Sequence, residues 1–222
     1  MRSNVTKSAV GLIAVLALGA LSAAPAFAGL PEFGKLNSGN RKLTLTSSSG
    51  TAFENYNFIF RCDSSSGTGE LTGAKTGTII LKFTGCVLNR ASCSSPGDSP
   101  GEITTASLPA ELVYTSKEKH EAALVVNYKQ TDFAAWRCEA ASEGGIHGSI
   151  IAPITAVNTK TTSHALDFVA KEYTQQPTSY ENEEGTKVAA APTMSILGEP
   201  FLEGSLADAF TATTKEGLEI KA

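Results

Sequence analysis

Alternation of apolar and polar residues, repeated along most of the chain beyond residue 40, constrains this sequence more than any other feature. Successive side chains of a β-strand point to opposite faces, so a period of two marks a half-buried strand. "RKLTLTS" carries Leu43 and Leu45 on one side, "FENYNFIFRC" reads as one long strand, and "TGTIILKFTG" puts Ile79, Leu81 and Phe83 together. "LPAELVYT" and "EAALVVNY" obey the same rule on either side of the polar "SKEKH", and "DFAAWRCE" is expected as the third strand of a meander. Farther on, "GSIIAPITAV" and "HALDFVAKEY" flank the turn-like "NTKTT", while the tail "SLADAFTATT" and "GLEIKA" has a weaker pattern. No segment keeps apolar residues at i, i+3, i+4 and i+7 over three turns behind a cap. The one alanine-rich stretch, "TKVAAAPTM", is interrupted by Pro192. The pattern predicts an all-β chain with little or no helix, folded as an antiparallel β-sandwich or a barrel-like structure.

Residues 1–28 stand apart from this pattern. Arg2 and Lys7 precede the apolar run "AVGLIAVLALGAL", and Ala26-Phe27-Ala28 has the small-x-small form of a signal-peptide cleavage site. The run is shorter than the ~20 residues a spanning helix needs, and Pro25 follows it. Cleavage is expected between Ala28 and Gly29, leaving a secreted, extracytoplasmic chain with no stable membrane insertion. Residues 29–222 are long enough for one good core and are read as a single domain. The Gly-rich "ASEGGIHG", near 140–148, is the candidate internal boundary.

Removing Arg2 and Lys7 with the leader leaves 16 basic against 22 acidic residues, a net of −6. No Lys/Arg cluster offers the basic stripe that neutralises phosphates, which argues against nucleic acid or an anionic membrane as partner. Charged residues make up only 18% of the sequence, below the usual quarter. Ser, Thr and Gly take their place, as on the outward faces of a secreted β protein.

The chain has four cysteines, Cys62, Cys86, Cys93 and Cys138. An even number in an exported chain implies two disulfides, and strand parity suggests the pairing. Cys62 has the parity of Tyr56, Phe58 and Phe60, and Cys138 that of Trp136, so both are expected to face the core. Cys86 has the parity of Lys82 and Thr84 and is expected to point outward, meeting Cys93 across "VLNRAS". The expected bridges are therefore Cys62–Cys138 and Cys86–Cys93. A zinc site finds no support, since C-x-x-C is missing and no His stands at ligand spacing from a Cys.

Other motifs dissolve on counting. "GTGELTGAKTGT" resembles a phosphate-binding loop, but Ala74 separates Gly73 from Lys75 and Thr68 stands where the first glycine should be. Its glycines are read instead as residues that supply positive φ in tight turns. Ser116 and Lys119 match S-x-x-K, yet they lie in a hairpin loop without partner motifs. His120, His147 and His164 are scattered and have no nameable partner, so they read as surface or half-buried residues rather than bases. Trp136 is expected to pack against a disulfide, and "ENEEG" (181–185) lacks the alternating acidic ligands of a calcium loop. No catalytic, metal-binding or cofactor-binding residue is assigned, and no cofactor is expected.

"GELTGAKTGT" leading into "KFTGC", then "CSSPG" before "GEITT", later "GSIIAPITAVN", and finally "LEIKA" form a distinctive set. On these patches the chain resembles an uncharacterised family of small secreted β-rich actinobacterial proteins. Proline often stands at the position of Ala74 in that group, which suits a turn. The resemblance implies export and a β-rich fold and carries over no catalytic residue. The first functional expectation is a secreted structural or binding module of unknown ligand at the cell envelope, with a cell-wall or other extracellular polymer as partner. The alternatives are an extracellular hydrolase acting on glycans, and a carrier holding a small apolar ligand inside a closed barrel.

Overall fold

The alternating segments become strands, and the strand pairings among the described residues are antiparallel. The computed structural model describes residues 29–222 apart from Ser48, Gln130, Ala140, Ala141, Leu197 and Gly198; the expected leader and the Ala28 side of its cleavage point lie outside the described residues. In chain order the first strands are β1 (Glu32–Phe33), β2 (Lys42–Ser47), β3 (Thr51–Asn55), β4 (Ile59–Cys62), β5 (Ser64–Leu71), β6 (Thr76–Thr84) and β7 (Val87–Leu88). Next come β8 (Ala91–Ser94), β9 (Ile103–Thr104), β10 (Leu108–Ser116), β11 (Glu121–Val126), β12 (Asp132–Cys138), β13 (Ser142–His147) and β14 (Ile150–Pro153). The last are β15 (Thr161–Lys171), β16 (Thr174–Gln176), β17 (Ser179–Glu181), β18 (Lys187–Ala189), β19 (Thr193–Ile196), β20 (Leu202–Leu218) and β21 (Ile220–Lys221). No helix occurs among the described residues.

Neighbouring strands close an eight-stranded barrel, in the order β2–β5–β6–β10–β11–β14–β15–β20 and back to β2. The pairings also close a second circuit, β20–β3–β4–β7–β8–β12–β13–β19 and back to β20. The 17-residue β20 belongs to both. Its first residues pair with β19 and β3, and from Asp208 onward it pairs with β15 and β2. One apolar core runs through both circuits, from Leu45, Leu81 and Phe210 to Phe53, Phe60 and Trp136. β1 and β21 pair beside the barrel end, where the Phe33 N–H donates to the Ala74 carbonyl at 2.6 Å. Outside the barrel, Val113, Ala123, Val125 and Ile151 form a satellite cluster with Ala190, packed against Tyr128 and Tyr180.

Asp208 sits where β20 passes from one circuit to the other. It shares the inward parity of Leu206, Phe210 and Ala212, and its residue is 6% exposed. Ser47 Oγ donates to Oδ1 at 2.6 Å, Ser65 Oγ to Oδ2 at 2.6 Å, and Thr51 Oγ1 also to Oδ2. These donors come from β2, β5 and β3, so one buried carboxylate ties strands of both circuits to β20. Hydrogen bonds to a charged acceptor contribute about 1.5–3 kcal/mol each, and a buried carboxylate without them would be costly.

Several sequence expectations change. "FENYNFIFRC" is two strands: Asn55 Oδ1 accepts the N–H groups of Asn57 and Phe58, which makes a turn and folds β3 onto β4. The meander stops at β11, which pairs with β14, while β12 leaves for the second circuit. The weakly patterned tail is β20, the longest strand. Gly67 and Gly69 are residues of β5 rather than of a turn. A Cβ on Gly67 would lie 2.7 Å from the Ile80 carbonyl oxygen, so that glycine permits close approach of β6. The turn itself is at 72–76, where Thr72 and Gly73 both donate to the Thr76 carbonyl.

The disulfide pairing is also corrected: Cys62 bonds Cys86 and Cys93 bonds Cys138, in place of Cys62–Cys138 and Cys86–Cys93. Parity fails at Gly85, whose φ of +66° breaks the alternation after β6 and turns Cys86 inward, fully buried. Cys93 and Cys138 are directly opposite each other on β8 and β12. The Cys93 N–H donates to the Cys86 carbonyl at 3.0 Å, so the two bridges are neighbours. With sequence separations of 24 and 45, loop-closure entropy gives them roughly 3.5 and 4 kcal/mol.

Two outcomes test this fold. Mass mapping of non-reduced peptides should recover Cys62 with Cys86 and Cys93 with Cys138. Urea titration of Asp208→Ala should show a loss of roughly 3 kcal/mol, with Asp208→Asn, which keeps one acceptor oxygen, losing less.

Candidate functional site

The barrel interior is filled rather than hollow. Its cavity, lined by residues such as Leu71, Ile79, Leu166 and Ala212, has a volume of about 30 Å³. That is room for water, whereas small-molecule sites occupy ~300–1,000 Å³. His164, buried beside this cavity, spends its ring on structure: Nδ1 faces the Thr155 carbonyl at 3.3 Å and Nε2 the Leu218 carbonyl at 3.2 Å.

The surface relief with unspent polar groups lies over the β12–β13 hairpin. A cleft of about 490 Å³ is lined by residues 94–98, Ala135, Trp136, Arg137, Glu143 and Gly144. A second, of about 200 Å³, shares Ala135, Glu143 and Gly144 with it and adds Asp132, His147, Ser195 and Phe201. Hairpin register creates this surface: Ala135 opposes Gly145, Trp136 opposes Gly144, and Arg137 opposes Glu143. The 94–98 loop is pinned to β12 by Ser95, whose Oγ donates to the Ala135 carbonyl at 2.7 Å. Its backbone turns where the Asp98 N–H donates to the Ser95 carbonyl at 3.0 Å.

Trp136 is 3% exposed, with its indole stacked on Phe60 at 5.1 Å between centroids. A Cβ on Gly144 would come within 2.6 Å of Trp136 Nε1, so only glycine leaves that edge of the indole in place. Among the described residues the buried side-chain polar atoms without a partner are Asp98 Oδ2, Trp136 Nε1 and Ser205 Oγ. Asp98 Oδ2, an acceptor, belongs to the loop that lines the larger cleft, whereas Trp136 Nε1 packs on the inner face of the hairpin against Gly144. Buried polar atoms are normally paired, so the orphaned acceptor at Asp98 points to a donor supplied by a ligand.

The remaining polar groups are paired with one another. Arg137 Nε donates to Glu143 Oε1 at 3.1 Å, and Nη2 contacts the same oxygen. His147 Nδ1 lies 3.1 Å from Asp132 Oδ1, and the Phe201 ring meets the imidazole edge-on at 4.0 Å between centroids. The smaller cleft thus contains Asp, His and Ser, but Ser195 Oγ donates to the Glu199 carbonyl at 2.6 Å. No hydrogen bond joins His147 to Ser195 among the described residues, so the serine is not activated for attack.

The structure finds a partner for His147 that sequence reading missed, because Asp132 is placed opposite it by the hairpin register. Trp136 is in the core, as its parity implied, but the cysteine beside it pairs with Cys93. His120 follows the hairpin loop of β10 and β11, where its N–H donates to the Lys117 carbonyl, and Ser116 and Lys119 share that turn. Lys75, the lysine of the phosphate-loop look-alike, pairs with Glu183 at 2.7 Å and lies 3.9 Å from Glu32. In the acidic loop, Asn182 Oδ1 accepts the Thr186 N–H and Glu183 serves Lys75. No group of three or more His, Cys, Asp or Glu suited to a metal occurs among the described residues. No protein-family model, no curated protein and no solved structure matches this chain.

A titratable group outside the cleft has a clear physical signature. Burial pushes the Glu111 carboxyl above its ordinary range, and the charge of Glu183 adds to this while Lys75 opposes it. The hydrogen bond from Lys75 holds Glu183 below its ordinary range. For Glu111 the raised value means that ionisation opposes folding. The penalty is absent below the unfolded value of about 4.3, grows as pH rises toward the folded value, and is complete above it. Glu111→Gln should therefore raise the urea midpoint at pH 7, with the gain disappearing below about pH 4.

Proposed function

We propose that this is a secreted binding module, acting at the cell envelope, and that the cleft between the 94–98 loop and the β12–β13 hairpin is its ligand site. The observation that carries the reading is Asp98 Oδ2, a buried acceptor without a partner on the loop that lines the cleft. The leader-like N-terminus and the resemblance to secreted β-rich proteins support export. The two disulfides are compatible with an extracytoplasmic setting. The water-sized barrel cavity gives a carried apolar ligand no room.

A hydrolase acting on glycans is the second reading, favoured by one feature: Asp98 and Glu143 line the same cleft. Glycosidases use two carboxylates on opposite sides of the scissile bond. Here Glu143 is engaged by Arg137, which suits a fixed recognition group better than an acid that must exchange protons.

The mature protein should be retained by cell-wall fractions or culture glycans in a pull-down. Asp98→Ala should abolish retention while leaving the urea midpoint equal or higher, because the oxygen it removes has no partner in the fold. Turnover of chromogenic glycans without retention would favour the hydrolase and overturn the binding reading.

A further inference from the structure

We infer that the β17–β18 hairpin is a strap held over the outer face of the barrel by a carboxylate–lysine latch, and that the latch loosens as pH rises from mildly acidic to neutral and above. The face beneath the strap is unusual for the outside of a barrel. Val113, Ala123, Val125 and Ile151 lie outside the barrel core, yet all four are fully buried. Ala190, just past the end of β18, and Tyr180, on β17, pack with them.

The strap is fastened at separate points. β17 meets the barrel at one register pair, Tyr114 with Glu181, and Glu181 Oε2 accepts the Lys117 N–H at 3.3 Å. At the strap's tip, Lys75 Nζ donates to Glu183 Oε1 at 2.7 Å, reaching out from the 72–76 turn of the barrel. The other pairings are internal: Ser179, Tyr180 and Glu181 oppose Ala189, Val188 and Lys187, and the Ala190 N–H donates to the Thr178 carbonyl at 2.9 Å. A lone two-stranded hairpin is marginal in water, so these internal bonds persist only while the strap is docked.

Glu111 supplies the pH dependence. It has the outward parity of Val113 on β10 and stands opposite Val125 in register, which puts it at the margin of the covered face. The charged and titratable groups around it are Glu183, Lys75 and Tyr180, and Glu32 faces the same lysine. Burial raises the Glu111 carboxyl and the charge of Glu183 adds to this, so a proton on Glu111 favours the docked strap. Once ionised, Glu111 gains hydration when the strap lifts, and it repels the carboxylate on which the latch depends. Lys75 holds Glu183 below its ordinary range, so Glu183 stays ionised above about pH 5. The support from protonated Glu111 is therefore complete below its ordinary value of about 4.3 and is lost as pH rises through its raised value. Solvent screens a latch at the surface, which keeps the effect small.

Hydrogen exchange of the mature protein, corrected for intrinsic amide rates, reads strap opening directly. Between pH 5 and 8, protection of the amides in 179–190 should fall about threefold relative to the β2–β5 ladder, a change in keeping with a surface pair. Glu111→Gln should keep the pH 5 protection up to pH 8, and Lys75→Gln should lower strap protection at every pH without altering the β2–β5 ladder. Strap amides that track the β2–β5 ladder at every pH, or that are unprotected throughout, would overturn the inference. So would a fall unchanged in Glu111→Gln, or strap protection unaffected by Lys75→Gln.

Discussion

Three hydroxyls from three strands converge on Asp208 at the point where β20 leaves one circuit of strands and enters the other. An inward-facing carboxylate would ordinarily disrupt an apolar core. Here it does what an apolar side chain could not, by fixing the positions of β2, β3 and β5 relative to the strand they share. Ser47 and Ser65 bring in the barrel, and Thr51 brings in the second circuit. The aromatic cluster around Phe53, with Phe60, Phe83 and Trp136 near it, then packs in a space whose walls are already set.

The disulfides extend that rigidity to the surface. Cys93 and Cys138 join β8 to β12, beside Ser94 and Arg137 at the margin of the larger cleft. Ser95 then fastens the 94–98 loop to Ala135. A loop fixed by a covalent bond and a buried hydroxyl loses little freedom when it meets a ligand, so less of the contact energy is spent on ordering it. The cleft is thus a consequence of how the second circuit is stapled.

Much of the barrel could be read from the chain. β6 declares itself through Ile79, Leu81 and Phe83, and β10 and β11 through equally clear alternation. β20 could not be read this way, because its inward positions run Leu206, Asp208, Phe210, Ala212 and Thr214. A charge and small residues there blur the period, and only long-range partners reveal why they fit. Cysteine parity failed for a local reason, the left-handed turn at Gly85. The hairpin at Asn55 was hidden because the capping is done by a side chain in an otherwise strand-like run. The cleft was less legible still. Asp98 carries no motif, and what distinguishes it is an atom left unpaired by packing.

A strand held in common by two closed circuits also governs how the molecule comes together and apart. All four cysteines precede β20, so both bridges can form while the two circuits are still open. Neither ring can close before residues 202–218 arrive, and Leu43 must then find Thr214 across most of the chain. Contacts of such long sequence separation make for slow folding. They also deny either ring a separate existence: a break in β20 opens both at once, so the filled barrel and the clefted circuit should melt as one cooperative unit.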